Sequence, residues 1–276
     1  MKNTITRAAF ASLIVLGLML VGQSNAKINL EDAVGIWLFD DRQGNEVKDS
    51  SGKENHGKFA RGAEPKWVKK GRFEGALEFD GEDDYIVVSH SDSLALSDKI
   101  SISVWVYPDG QQPPTKDGVT ASCAGILEKN DNTGYYLKHW DGINSGAIIW
   151  RFGGARKWDI GQTAGILWEW QHLAATWDGE VGYFYVNGEL RSTTPHKGRI
   201  KSGDDWLTIG FRSHNGHSGW FKGMIDDIAI FNAVLDDEDI ELLSEQGVGR
   251  ILDLLPVSPS GKLATTWATV KARYRE

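Results

Sequence analysis

Cysteine is almost missing from this chain: Cys123 is the only one in 276 residues. One thiol excludes an internal disulfide, so stability must come from a packed core, a bound ion, or both. Proline is scarce at 7 residues, and long helical periodicity is scarcer still. The one long apolar stretch, Ala8–Val21, is too short and too early to predict a membrane span. It follows Lys2 and Arg7 and leads into the small residues Ser24 and Ala26. That order predicts a secretory signal peptide over residues 1–26, and hence a secreted, cell-surface or periplasmic product. Positive charge is under-represented, with 30 Lys and Arg against 38 Asp and Glu and a formal net charge of -8. Losing Lys2 and Arg7 makes the balance more acidic. Such a chain lacks the basic face that nucleic acid requires. Neither a G-x-S-x-G, nor an H-E-x-x-H, nor a phosphate-loop pattern occurs.

Glycine (32 residues) and tryptophan (12 residues) are plentiful. The apolar residues fall in short runs separated by turn signals. "VGIWLFD", "ALEFD", "YIVV", "AGILEK", "GYYLKHW", "AIIWRF", "HLAATWD", "LTIGF" and "MIDDIAIF" all read as strands. In "ISISVWVYP", Ile100, Ile102, Val104 and Val106 share one face, and Ser101, Ser103, Trp105 and Tyr107 share the other. Asn187-Gly188 in "YFYVNGEL" predicts a hairpin, because a tight turn needs positive φ at both central positions. Regular short strands with so little helix predict an all-β antiparallel sandwich. "LDDEDIELLSEQG" is the exception: an aspartate cap, an acidic first turn and Gly247 as a stop predict a C-terminal helix. One domain over 27–247 is expected, followed by a linker and tail over 248–276. In that tail Leu263, Trp267, Val270 and Tyr274 would share a helical face.

The ordered pieces "GIWLFDD…VKDSSGKENHGKF", "FEGALEFDGEDDYIVV", "ISISVWVYP", "WEWQHLAATWDGEVGYFYVNGEL" and "WFKGMIDDIAIFNAVLDDEDI" resemble the laminin G-like branch of the concanavalin A-like lectin/glucanase superfamily. The resemblance runs from Ala33 to Gly247. It implies a jelly-roll β-sandwich with one concave sheet, and it does not fix a function. Relatives of this kind bind glycans or proteins, or accompany enzymes.

Asp80-Gly81 in "DGEDD" predicts a turn, with Glu82, Asp83 and Asp84 as its solvated tip. Catalysis would need two carboxylates roughly 5–10 Å apart around one bond. The glucanase relatives place theirs alternately along one strand. The nearest match here, Asp237, Asp239 and Glu241, lies in the predicted helix, where alternate residues diverge. A noncatalytic chain is therefore expected, with a glycoside hydrolase as the alternative. The loop "DSSGKENHG" and the pair Asp226-Asp227 offer the mixed oxygens that calcium takes. The resemblance implies a structural calcium joining the early loop to the last strand. Carried over, Asp49 and Asp227 supply side chains, and Gly52, Asn55 and Asp226 supply backbone or amide oxygens. The plainer reading makes Asp49 a turn former.

Trp37, Trp105, Trp170 and Trp177 sit within strand patterns and are expected in the core. Trp140, Trp158, Trp206 and Trp220 flank loops, where an exposed ring could stack on a sugar. Asn144, Arg151 and Asp141 could bond its hydroxyls. Trp140, Trp158, Trp220, Asn144 and Arg151 form the predicted ligand face. His214 and His217 read as a solvated loop, since two ligands do not make a metal site. The expectation is an exported recognition module for carbohydrate or a cell-surface partner. A structural surface protein without a small ligand is the other alternative.

Overall fold

The computed structural model describes residues 28–109, 124–130, 133–140, 147–152, 161–164, 167–214 and 217–254. Within them, the side chains of residues 140, 147–149, 161–164, 213–214 and 217–218 are not described. The first strands are β1 (Ala33–Trp37), β2 (Glu46–Val47), β3 (Gly57–Phe59), β4 (Lys66–Phe73), β5 (Gly75–Asp80) and β6 (Ile86–Val88). Next come β7 (Ile100–Pro108), β8 (Ala124–Lys129), β9 (Tyr135–Trp140), β10 (Ala147–Phe152), β11 (Gly161–Ala164) and β12 (Gln171–Trp177). The last are β13 (Val181–Val186), β14 (Glu189–Pro195), β15 (Leu207–Ile209), β16 (Phe211–His214), β17 (His217–Trp220) and β18 (Lys222–Phe231). Helices α1 (Asp237–Gln246) and α2 (Val248–Ile251) close the described chain.

Two sheets result. The first runs β14-β13-β12-β7-β18-β5-β4, with β1 also on β18. The second runs β11-β10-β9-β8-β15-β6-β3-β2, with the β16–β17 hairpin joined to β8. The ladders are antiparallel except for a single parallel contact between β17 and β8. This is the expected antiparallel jelly-roll sandwich with a short C-terminal helix.

Alternation builds the space between the sheets. Ile100, Ile102, Val104 and Val106 of β7 meet Leu137, Trp150 and Phe152 of the second sheet in one core. Trp37 and Trp177 are buried there, and Trp37 Nε1 donates to the Asn55 carbonyl at 2.9 Å. Trp105 is buried as expected, whereas Trp170 is half-buried. The outer face of the first sheet carries a second cluster: Ile36, Ala174, Tyr185 and Phe231 pack against Ile240, Leu243 and Val248 of the helices. Coverage on both sides explains why every residue of β1 and β12 is buried.

Local rules hold where they were strongest. Asn187 and Gly188 adopt φ of 52° and 82° in the β13–β14 turn. Asp236 caps α1 with a reciprocal capping box to Asp239. The helical layer continues past Gly247 into α2, with Val248 buried. Strand β4 is unforeseen: its "KWVKKGRF" lacks alternating apolar residues because it is a sheet edge, where lysines are favoured. "RSHNGHSG" also differs from its expected loop, since His214 and His217 belong to paired strands.

Candidate functional site

On the outer face of the second sheet, pleating gathers charge around one ring. Tyr135 and Leu137 point into the core, so Tyr136 and Lys138 point away. The same alternation sends Arg151 outward between Trp150 and Phe152. Tyr136 of β9 lies directly opposite Arg151 of β10 and Glu128 of β8. Lys138 Nζ and the Arg151 guanidinium each lie 5.0 Å from the Tyr136 ring centre, and Arg212 of β16 lies at 5.6 Å. Lys138 also donates to Tyr136 Oη at 3.4 Å, and Arg212 Nε is 3.5 Å from Glu128. Three cations thus converge on the buried Tyr136 ring with the Glu128 carboxylate beside them; Lys138 and Arg212 are buried and Arg151 is half-buried at the edge. Such a group favours an anionic ligand, because lowered dielectric strengthens each charge.

Of the predicted ligand face, Arg151 belongs to this group. Trp220 pairs with Phe211 across the hairpin, 5.6 Å between ring centres, and Phe211 packs on Tyr85 at 4.7 Å. Arg212 follows Phe211 and so alternates to the other side. Trp140 lies in β9, but its side chain, with Trp158, Asn144 and Asp141, falls outside the described residues. Tyr136, Lys138 and Arg212 went unread in the sequence. The signal was one outward cation in each of "YYLKHW", "IIWRF" and "GFRSH", on strands that only folding brings together.

The aspartates separate into two environments. Asp49 Oδ1 accepts from the Ile36 and Ser51 amides at 2.9 and 2.8 Å. Its Oδ2 accepts from Ser51 Oγ and the Asn55 amide at 2.8 and 2.9 Å. The Asn55 side chain donates to the Val34 carbonyl at 2.7 Å and to Ser93 at 2.8 Å, and accepts from Ser91 at 2.6 Å. Gly52, at φ 80°, is the exposed turn between them. Protein donors thus fill both oxygens of Asp49, as in a turn former, and protein partners hold the Asn55 side chain.

Asp226 and Asp227 lie at a bulge in β18, between Asp226 and Ala229. One extra residue, Asp227 at φ 45°, lets Asp226 face outward while Ile228 returns to the core. Asp226 Oδ2 accepts from the Arg72 and Phe73 amides at 2.8 and 2.9 Å. Its Oδ1 is buried without a partner, as is Asp40 Oδ2. Asp227 accepts from the Val248 and Gly249 amides, capping α2. A Cβ at Gly247 would collide with that carboxylate, which fixes glycine there. Burial first, and Asp227 second, push Asp226 up to about 9. Burial and then Asp40 push Asp227 up to about 7. Burial raises Asp40 too, against the Gly75 amide that bonds it. Buried carboxylates, two of them with an orphaned oxygen, carry the donor chemistry a hard cation takes. Next to them, Arg72 covers Trp105 at 4.3 Å, and Trp105 packs on His172 at 5.4 Å. Burial and then Arg72 push His172 down to about 3, and its Nε2 lies 2.8 Å from Ser103 Oγ.

A third group occupies the "DGEDD" turn. Asp80 Oδ1 accepts from the Glu82 and Asp83 amides at 2.8 and 3.4 Å, as a turn-forming aspartate does. Asp84 departs from the expected solvated tip. It is buried and accepts from the Glu64 and Asp80 amides at 2.8 and 3.1 Å, tying the turn to a neighbouring loop. One oxygen from each of Asp80, Asp83 and Asp84 lies within 4.8 Å of the others, so the group could hold a metal. The helical acids are not a catalytic row: Asp237 accepts from Tyr185 Oη at 2.7 Å, and Asp239 is buried in the cap.

The chain belongs to the concanavalin A-like lectin/glucanases superfamily, whose Laminin_G_3 model matches residues 80–241. Domain 4 of AbnA, an extracellular arabinanase from Geobacillus stearothermophilus solved in complex with arabinotriose, is 19% identical with a TM-score of 0.58. That likeness covers 78% of this chain and 98% of that one. The binding domain of Paraclostridial Mosquitocidal Protein 1 is 18% identical, with a TM-score of 0.59 over 78% of this chain and 52% of that one. The botulinum neurotoxin serotype D ligand binding domain, in complex with N-acetylneuraminic acid, is 16% identical, with a TM-score of 0.57 over 78% and 51%. This chain therefore spans about half of each toxin domain, and at these identities the likeness shows the fold alone. No curated protein matches the chain. Among the described residues no helix is long and apolar enough to cross a membrane.

Proposed function

We propose that the protein is an exported, noncatalytic recognition module that binds an acidic saccharide on the outer face of its second sheet. The observation that carries this reading is the convergence of Lys138, Arg151 and Arg212 on Tyr136. A sugar carboxylate or sulfate pairs with the guanidinium fork of Arg151, the half-buried cation at the edge of the group. Two neighbours of the same fold were solved with saccharides, arabinotriose and N-acetylneuraminic acid, the second of them acidic. The helical placement of Asp237, Asp239 and Glu241 favours binding over glycoside cleavage. The basic start, the apolar run and Ala26 support export.

A structural calcium completes the proposal. Asp226, Asp227 and Asp40 hold it, rather than Asp49, Gly52 and Asn55, because the orphaned oxygens are at the bulge. The ion neutralises carboxylates that otherwise repel one another.

Native electrophoresis through gels containing polygalacturonate or alginate tests the saccharide site. The protein is expected to be retarded, and Arg151→Gln is expected to remove most of the retardation with its melting temperature unchanged. Equal retardation of the protein and its Arg151→Gln and Arg212→Gln variants would sink the reading.

A further inference from the structure

We infer that Trp168 is the stacking plate of a second, separate binding site that takes a neutral sugar ring. Trp168 lies in the turn leading into β12. Its φ is 59°, in the left-handed region that a bulky side chain adopts only under strain. Its side chain is 59% exposed, so the strained backbone is not offset by burial of the ring. Yet the residue is held firmly. Its amide donates to the Pro108 carbonyl at 2.8 Å, and its indole N–H donates to Asp109 Oδ1 at 2.8 Å. The Tyr107–Trp170 pair, ring centres 5.7 Å apart and edge to face, shares the same end of β7 and β12. A strained, exposed and oriented indole contributes little to folding, and its geometry suits a ligand.

The surroundings select that ligand. A pyranose or furanose lays its C–H face on an indole and donates its hydroxyls to nearby acceptors. Asp109, which accepts from the indole N–H, provides a carboxylate beside the ring, and the exposed Glu169 is the next residue in the chain. These same charges repel a uronate or a sulfate, so the site differs in sign from the cationic group around Tyr136. A protein partner is a poorer fit, because stable interfaces bury about 800 Å² on each side. The other exposed large apolar residues among those described, Leu190, Trp206 and Val234, come singly from other segments.

The test is native electrophoresis through arabinan, galactomannan, mixed-linkage β-glucan and pullulan, with melting temperatures measured in parallel. At least one neutral polymer is expected to retard the protein, and Trp168→Ala to weaken that retardation about tenfold. Trp168→Gly is expected to lose it equally while melting about 2 °C higher, since glycine occupies positive φ without strain. Arg151→Gln is expected to leave this retardation intact, which keeps the result separate from the acidic-saccharide reading. No retardation by any of the four polymers overturns the proposal, as does full retardation of Trp168→Ala. A melting temperature lowered by 5 °C or more in Trp168→Gly also overturns it, because the ring would then serve the fold.

Discussion

Asp49 and Asp226 are both buried, and both accept backbone amides that tie distant segments together, yet they do opposite things. Asp49 has two donors on each oxygen. Asp226 has two donors on one oxygen and none on the other, beside the equally orphaned Asp40 Oδ2. A carboxylate with its acceptors filled is a rivet in the loop it organises. One left half-filled beside other carboxylates is an unstable arrangement until a proton or a cation joins it. Satisfaction, rather than burial or residue type, separates the saturated aspartate from the open one.

The comparison can be broken most forcefully at Asp49. Asp49→Ala orphans the Ile36, Ser51 and Asn55 amides and is expected to cost about 3–5 kcal/mol in urea unfolding. The loss should be the same in calcium and in chelator; a loss restored by calcium would make Asp49 a ligand after all. Next in size is calcium itself. At one hundred times its dissociation constant it is expected to stabilise the protein by about 2.7 kcal/mol. Asp226→Asn and Asp227→Ala are each expected to abolish that gain, and melting curves indifferent to calcium and chelator would remove the site.

A smaller effect sharpens the same contrast through pH. In chelator, folded Asp226 retains a proton up to about 9, while the unfolded carboxyl releases it near 3.8. The contribution is therefore complete below about pH 4 and is lost as pH rises through that interval. Each pH unit between 5 and 8 is expected to cost up to about 1.4 kcal/mol, and Asp226→Asn should flatten the fall. A stability that rises with pH over this range in chelator would contradict the orphaned carboxylate. Smallest is the effect at the "DGEDD" turn. Asp83→Asn is expected to change the calcium response by less than about 0.5 kcal/mol, because Asp80 and Asp84 already accept turn amides there. A larger change would move the ion to that turn.

Much of the frame was legible in short-range chemistry. The alternation of Ile100, Ile102, Val104 and Val106, the Asn187-Gly188 turn, and the Asp236 and Gly247 stops of α1 all depend on neighbours within a few residues. Strand β4 escaped because, at the sheet edge, only Phe73 is buried and Trp67 partly so, which writes no apolar alternation into its pattern. On the opposite face of β7, Ser101 and Ser103 are polar, yet both are buried beside Trp105. Ser101 Oγ donates to the Ala233 carbonyl at 2.7 Å and accepts from the Leu235 amide at 2.9 Å, so the approach to the helices covers it.

The sites were less legible. Arg151 could be picked from its strand, but its companions Lys138 and Arg212 are set by pairing order, which no local period encodes. Asp226 and Asp227 were visible as acids in an apolar strand. Their partner Asp40 was not, because a bulge and a left-handed residue bring it near.

By itself the sequence determined the period of the strands, the turns, the cap of the helix and the excess of negative charge, since each depends on residue type and near neighbours. The tertiary structure alone decided which charges meet. Sheet order, the β18 bulge and the covering helices place residues more than a hundred positions apart in contact. They leave one aspartate saturated and another open, a distinction made by through-space hydrogen bonds.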